Sequence, residues 1–595
     1  AGPVIYVEHD RIAAAGANEA LDLGPGAGKL GGRVLFAGSP SDLWKANTPT
    51  GAYFSGRQQT RIPQKRPHPK SFLTIRGACL HNLRELDIPI ALNRFNVICG
   101  VSGSGKSTLV EEVLFASLKA GEPIGCAELS QPNLKAELVD QSPIGHNPRS
   151  NPATYTKLLD PIRDGYAANT GLDATNFSFN TKEGACGFCQ GMGAVEVKLR
   201  YLPSTWITCS ECEGTRFSDE VLAAKVTFSD GFSRSIADFL NLTISECAPL
   251  LREAPGLSER EREDCDRLCQ ALIDIGLGYL TLGQPSPTLS GGEAQRVKLA
   301  KYLGRRGLKD RLVILDEPTT GLHPADINGL LVVLDRLVRA GGTVVVVEHE
   351  LDVIRAADWL IELGPGAGPE GGALLHAGPV ERLGKQEPTP TSEALAEEGN
   401  LEVRAVRETP GEENRMIRVQ GARANNLQDL HVDLPKGALT VVTGISGSGK
   451  SSLIMNVIEA EARRRYLESL AMYERQGLKE SAQAEVDAVQ GLGVTLSIST
   501  QTGRYDPRSR LGNESEINPG LYALFSQYGS LSCNVCGTAM VRGSNHFTCH
   551  ACGNTPPLPK PRHFNPKTYA AACQTCHGVG TLQDPRPEKL IIQPG

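Results

Sequence analysis

The stretch that decides the fold is FNVICGVSGSGKSTLVEEVLFASL, residues 95–118. An apolar run, Phe95–Cys99, leads into the glycine-rich Gly100–Ser107, and a helix-forming segment, TLVEEVLFASL, follows. The loop fits G-x-x-x-x-G-K-[ST] in a strand–loop–helix setting, where backbone N–H groups can wrap phosphate at a helix N-terminus. Gly100, Gly103 and Gly105 free the backbone for that wrap. Lys106 is placed to neutralise β- and γ-phosphates, and the Ser107 hydroxyl, followed by Thr108, to reach Mg²⁺. A second copy, GISGSGKS at 444–451, follows the apolar run Leu439–Thr443. There Gly444, Gly447, Gly449, Lys450, Ser451 and Ser452 take the same places.

The two copies sit in longer repeats. FLTIRGACLHNLRELDIPIALNRFNVICGVSGSGKSTLV (72–110) resembles MIRVQGARANNLQDLHVDLPKGALTVVTGISGSGKSSLI (416–454), and Lys106 and Lys450 are 344 positions apart. VIYVEHDRIAAAGANEALDLGPGAG (4–28) matches TVVVVEHELDVIRAADWLIELGPGAG (343–368), with His9 and His349 340 positions apart. A nearly constant lag across two motifs means tandem modules. One module is complete at 71–385. Residues 1–60 read as the C-terminal part of a preceding module, and 417–595 as the N-terminal part of a further one. Linkers fall at 61–70 and 386–416, rich in Pro with basic or acidic residues. The pattern predicts a fragment cut at both ends. Short β-branched runs such as Val313–Leu315 and Thr343–Val347, set between helical stretches, predict buried parallel strands of an α/β fold.

Bulk properties restrict the function classes. At 595 residues the chain has length for about four domains, and 40% hydrophobic content supports real cores. A net charge of -6 leaves any nucleic-acid contact to local basic patches. Candidates are RVKLAKYLGRRGLKDR (296–311) and the arginines 463–465, which also fit solvated helix faces. No apolar run approaches the ~18 residues of a membrane helix, so no membrane partner is expected. Ten of the sixteen cysteines lie in five Cys-x-x-Cys pairs, a pattern suited to metal in a reducing, cytoplasmic setting.

LVILDEP (312–318) puts two carboxylates at the end of a buried strand. Asp316 is placed to hold Mg²⁺ through water, and Glu317 to orient or deprotonate an attacking water. Upstream, TLSGGEAQRVKLAKYL sets Ser290, Gly291, Gly292 and Glu293 at a helix start, a second anion-binding end. On local physics alone Ser290 fits an ordinary helix cap equally well.

Cys186-x2-Cys189-x19-Cys209-x2-Cys212, inside an insertion at about 176–216, has the spacing of a closed tetrahedral Zn²⁺ site. Downstream there are three pairs. HFNPKTYAAACQTCHGVG (563–580) echoes FSFNTKEGACGFCQGMG (177–193), which favours Cys549, Cys552, Cys573 and Cys576 as one site. A compact ribbon of Cys533, Cys536, Cys549 and Cys552 is the alternative.

A phosphate loop, a later LSGGE, LVILDEP and a strand ending in Glu348-His349 together resemble the ABC-type ATPases. That resemblance implies ATP sandwiched between the phosphate loop of one module and the LSGGE of another. It makes His349 the γ-phosphate sensor and His9 its second copy. Gln141 in VDQSPIG, and Gln501 in STQTGRYDPRS, become the residues linking nucleotide to the inserted region. The zinc insertions, with IRGACLHNLRELDI, DQSPIGHNPRSNPATYT, LSGGEAQRVKLA, LDEPTTGLH and LGPGAG, resemble more narrowly the UvrA family of excinuclease components. That implies ATP hydrolysis, double-stranded DNA binding and recognition of damage in nucleotide excision repair. Some thirty residues from Gln501 to Cys533 are too few for the family's UvrB-docking domain, so docking by the usual surface is not expected. A UvrA-like ATPase of antibiotic resistance, or one serving export or translation, is the alternative. Because LSGGE occurs once, two copies of the chain are expected to pair head to tail, each lending Ser290 to the other's nucleotide.

Overall fold

The computed structural model describes residues 3–145, 147–197, 205–304, 311–385, 387–397, 416–469, 484–498 and 511–580. They form two compact units, Ala1–Ser497 and Ile498–Gly595. The predicted α/β fold is present.

The complete module is built on a six-stranded sheet. Its order is Ala373–Gly378, Trp359–Gly364, Phe95–Cys99, Thr343–Val347, Arg311–Asp316, Lys135–Val139. The first pair is antiparallel and the rest are parallel. Val344, Val345 and Val346 are all fully buried, so the strand shows no alternation. Both faces are covered, as parallel sheets require. One face packs on the helix that follows the loop, through Leu109, Val110, Val113 and Leu114. The other packs on Pro324–Arg339 and an inserted helical region, with Phe177, Phe179, Phe217 and Phe239 almost wholly buried. Capping boxes start the inserted helices: Thr243 with Glu246 and Ser258 with Glu261. Each satisfies two N–H groups that would otherwise lack partners.

The ends of unit one meet. Strand Leu439–Gly444 runs parallel to Val4–Val7 on one side and Glu19–Gly24 on the other, and Arg33–Gly38 closes the row. Strands from 4–38 and strand Leu439–Gly444 thus share one sheet, where the repeat pattern had assigned them to separate modules. The physical reason is burial: Val441 and Val442 are fully covered only when Leu21, Leu23 and Trp44 pack on them from the N-terminal segment. The row repeats the order of the complete module but, among the described residues, no counterpart of Arg311–Asp316 adjoins Val4–Val7.

The 417–595 segment also divides. Residues 498–595 are a separate unit, with a helix Ile517–Tyr528 and a small hairpin, Val541–Arg542 with Phe547–Thr548.

Candidate nucleotide sites and metal centres

Gly100, at φ 133°, turns the chain out of its strand at a point where a Cβ would lie 1.9 Å from the Leu363 carbonyl oxygen. Only glycine fits there. Lys106 is buried and its Nζ donates to the carbonyl oxygens of Gly100 and Val101 at 2.9 and 2.8 Å. The LGPGAG turn braces the loop: Gly368 N donates to Gly103 O and Gly372 N to Ser104 O, both at 3.0 Å. Asn82 Nδ2 also donates to Gly103 O, at 3.2 Å. The Ser104 hydroxyl is buried without a partner, as is that of Ser448 in the second loop. A buried unsatisfied hydroxyl is costly, and a phosphate oxygen would satisfy it.

Glu317 stands beyond the end of strand Arg311–Asp316 at φ 44°, a strained conformation for a non-glycine residue. His349 Nε2 lies 3.4 Å from its carboxylate, and Gln141 Nε2 donates to its carbonyl oxygen at 3.4 Å. The hydrogen bond from His349 holds the Glu317 carboxyl below its usual range. Burial pushes the neighbouring Asp316 up, with the charges of Glu317 and Glu348 adding to it. Carboxylates crowded this way fit a cation such as Mg²⁺. Lys106 is lowered by burial, against which the Glu317, Cys99 and Asp316 charges act. An ionised carboxylate beside an imidazole can accept a proton from water or orient it. Glu348, to which the sequence pattern assigned no role, braces the turn: it accepts from Thr319 N, His349 N and Glu350 N at 2.8, 2.8 and 3.2 Å.

Ser290 caps its helix, accepting from Glu293 N at 3.3 Å. The helix it starts is turned toward the second loop of the same chain. Arg296 approaches Ser446 Oγ at 3.4 Å, and Asp326 accepts from Ser446 N at 2.9 Å. Tyr279, bonded to Glu293, lies against Gly447. The single LSGGE helix thus meets the second phosphate loop of its own chain, where the sequence pattern had looked to a second copy for a facing LSGGE. Lys450 repeats Lys106, donating to Gly444 O and Ile445 O at 2.8 and 2.7 Å.

His9 is half-buried, with its Nδ1 covered and unpartnered, and its ring lies 6.0 Å from that of His323. Burial lowers His9 well below the usual imidazole range, with Lys450 and His323 adding to the effect. His323 Nδ1 accepts from Ala325 N at 3.1 Å, so Nε2 carries the proton and donates to Thr50 Oγ1 at 3.1 Å. Thr50 in turn donates to the buried Asp22 at 2.6 Å. Asp22, Thr50, Tyr279, His323 and Asp326 were missed from sequence, since none belongs to a phosphate-binding motif. Gln501 lies outside the described residues.

Cys186, Cys189, Cys209 and Cys212 converge, buried, with their sulfurs within 4.8 Å of one another. Cys189 and Cys212 are 3.6 Å apart. Sulfurs about 2.3 Å from one tetrahedral zinc stand roughly 3.8 Å apart, so the group fits Zn²⁺. The second group is Cys533, Cys536, Cys549 and Cys552. This corrects the favoured set of Cys549, Cys552, Cys573 and Cys576. The hairpin between the first two pairs folds back and brings Cys533 to 3.5 Å from Cys552 and Cys536 to 3.5 Å from Cys549.

Parts of both basic runs are used internally, while Arg305, Arg306 and Lys309 lie outside the described residues. Arg296 bonds Gly292 O and Ile275 O, and Lys298 bonds Ser142 Oγ at 2.6 Å and pairs with Asp140. Lys301 lies over the Tyr155 ring. Arg464 and Arg465 each pair with Glu461 at 2.8 Å.

A parallel sheet with a phosphate loop, an Asp–Glu strand end and an LSGGE helix is the fold of an ABC-type ATPase. No protein-family model matches the chain. The UvrABC system protein A of Thermus thermophilus is 44% identical over 395 residues, covering 64% of this chain and 40% of that protein. That of Methanothermobacter thermautotrophicus is 43% identical over 396 residues, again 64% and 40%. A crystal structure of UvrA2 from Deinococcus radiodurans is 40% identical with a TM-score of 0.60, covering 66% of this chain and 47% of that one. Over about two thirds of its own length the chain is similar to UvrA-family proteins. It spans less than half the length of these relatives.

Proposed function

We propose that the chain hydrolyses ATP and binds double-stranded DNA as a UvrA-type damage sensor of nucleotide excision repair. The observation that carries the hydrolytic reading is Glu317, held between His349 and the Gln141 amide and one strand removed from the loop strand. On this reading Lys106 draws the β- and γ-phosphates of ATP into the first loop, and the loop amides orient them. Glu317 receives a proton from the attacking water at its carboxylate, and His349 steers that carboxylate. Ser107 and Asp316 would hold Mg²⁺, which supplies positive charge to the phosphate oxygens when bound. Both Cys₄ groups are structural zinc sites on this reading, because four thiolates leave no open position.

Damage recognition rests on the likeness to UvrA proteins. The test is binding of the full chain to a duplex carrying one bulky adduct, against the same undamaged duplex, with and without ATP. The expected result is a preference for the adduct that changes with nucleotide. Equal binding to both duplexes would leave an ATPase without a damage-sensing role.

A further inference from the structure

Glu317, with φ at 44°, keeps a backbone conformation that a non-glycine residue holds only when its surroundings fix it. The peptide before it is fastened on both sides. The Glu317 N–H donates to Val347 O at 2.9 Å, and the Asp316 carbonyl oxygen accepts from Gln295 Nε2 at 2.6 Å. The carbonyl after it accepts from Gln141 Nε2 at 3.4 Å. Gln295 lies in the helix that Ser290 caps, Gly291–Leu303, and is 1% exposed. It donates also to Val139 O at 2.9 Å, at the end of the strand that leads to Gln141. Three residues on, and so on the same helix face, stands Lys298. It donates to Asp140 O at 3.2 Å and Ser142 Oγ at 2.6 Å, and pairs with the Asp140 carboxylate. One buried lysine thus grips both residues that flank Gln141. An amide and an ammonium cost more to bury in a helix–sheet contact than apolar side chains do, so packing alone does not account for them.

We propose that Gln295 and Lys298 are positioning residues for ATP hydrolysis at the first loop. Gln295 keeps the Asp316–Glu317 peptide in the form that sets the Glu317 carboxylate beside His349. Lys298 keeps the turn bearing Gln141 against the Glu317 carbonyl. Neither side chain needs to touch nucleotide; each acts through Glu317. The proposal rests on reading Glu317 as the hydrolytic carboxylate.

The test uses the full chain carrying Lys450→Ala, so that the first loop alone is read. Gln295→Leu and Lys298→Met should each lower kcat about tenfold or more, the cost of a small misplacement of a reacting group. KM, and binding of a non-hydrolysable ATP analogue with Mg²⁺, should stay within about twofold, because the loss falls on the transition state. Lys298→Arg, which keeps donors for Asp140 and Ser142, should retain most of the turnover. Joined to Glu317→Gln, neither Gln295→Leu nor Lys298→Met should cost anything further, since both act through that carboxylate. Thermal melts establish that each variant folds, and Lys298→Met, beside the half-exposed Asp140, carries the test if Gln295→Leu does not fold. Full turnover in the folded variants, with Glu317→Gln slow, overturns the positioning role alone. Equal losses of turnover and analogue binding overturn it too, by making both residues supports of the fold. Undiminished turnover in Glu317→Gln overturns the hydrolytic reading and the proposal together.

Discussion

The two phosphate loops are the same piece of chain in two surroundings. Gly100, Gly103 and Gly105 have φ of 133°, 77° and 103°, and Gly444, Gly447 and Gly449 have 130°, 74° and 104°. Gly368 N braces Gly103 O, and Gly28 N braces Gly447 O, each at 3.0 Å. Beyond that the loops part. The first has Asp316, Glu317, His349 and Gln141 around it; the second has Tyr279, Arg296 and Asp326. Glycine pattern and the LGPGAG brace set a loop's shape. The neighbouring strands and the facing module set what it can do.

The cysteines repeat the lesson and give the largest predicted effect. Gly193 N donates to Cys189 Sγ at 3.2 Å, and Gly580 N to Cys576 Sγ at 3.3 Å, with Gln190 and His577 at φ 51° and 50°. The turns match, yet among the described residues only the first joins a four-sulfur group. The chain should therefore carry two zinc ions. Cys536→Ser should lose one and unfold the hairpin around 531–558, since structural zinc binding contributes on the order of 10 kcal/mol. Cys573→Ser should keep both. Metal analysis and proteolysis would check this, and a loss of zinc in Cys573→Ser would break the comparison.

Hydrolysis sharpens the contrast between the loops. Glu317→Gln should lower ATP turnover at least about a hundredfold, because the variant carboxamide accepts no proton. Lys450→Ala should cost less than about tenfold, since no Asp–Glu strand end adjoins the second loop among the described residues. Equal losses in steady-state turnover would mean that the second loop hydrolyses ATP as well.

The assembled sheet predicts a stability effect confined to one side of the comparison. Leu21 is 1% exposed and packs with Val442 and Leu453, residues more than 400 positions away in the chain. Leu21→Ala should cost about 2–4 kcal/mol in denaturant unfolding. Turnover at the first loop should persist at low denaturant. No loss of stability would mean that the ends do not share a core.

What the sequence made readable was whatever local chemistry repeats. Both loops, the Asp316–Glu317 strand end, the Ser290 cap and the Cys186–Cys212 group stand where spacing put them. The pairing of the two ends was hidden, because strand order depends on burial by residues far off in the chain, as Val441 does on Trp44. Internal alignment even misled at Cys573: matching turns predicted matching partners, while the shorter hairpin gave Cys549 a nearer pair. Asp326 and His323 had no repeat to flag them, since GLHPAD occurs once.

The smallest effect separates the two lysines by pH. Burial lowers Lys450 to about 8, with the charges of Asp326 and Asp22 opposing the shift. Lys106 is lowered too, with Glu317, Cys99 and Asp316 opposing. An amine whose folded pKa lies below its unfolded value holds fewer protons when folded between those two values. Stability then rises with pH across that window, from about 8 to the ordinary lysine value near 10.4. Unfolding should cost ~1 kcal/mol more at pH 9 than at pH 8 through this group, and Lys450→Met should remove the difference. A bound phosphate restores the charge of Lys450, so binding at the second loop should take up a proton above pH 8. Calorimetry of the Lys106→Ala chain in two buffers of different ionisation heat reads that uptake directly. Equal heats in both buffers would place Lys450 in its ordinary charged state and remove this distinction between the loops.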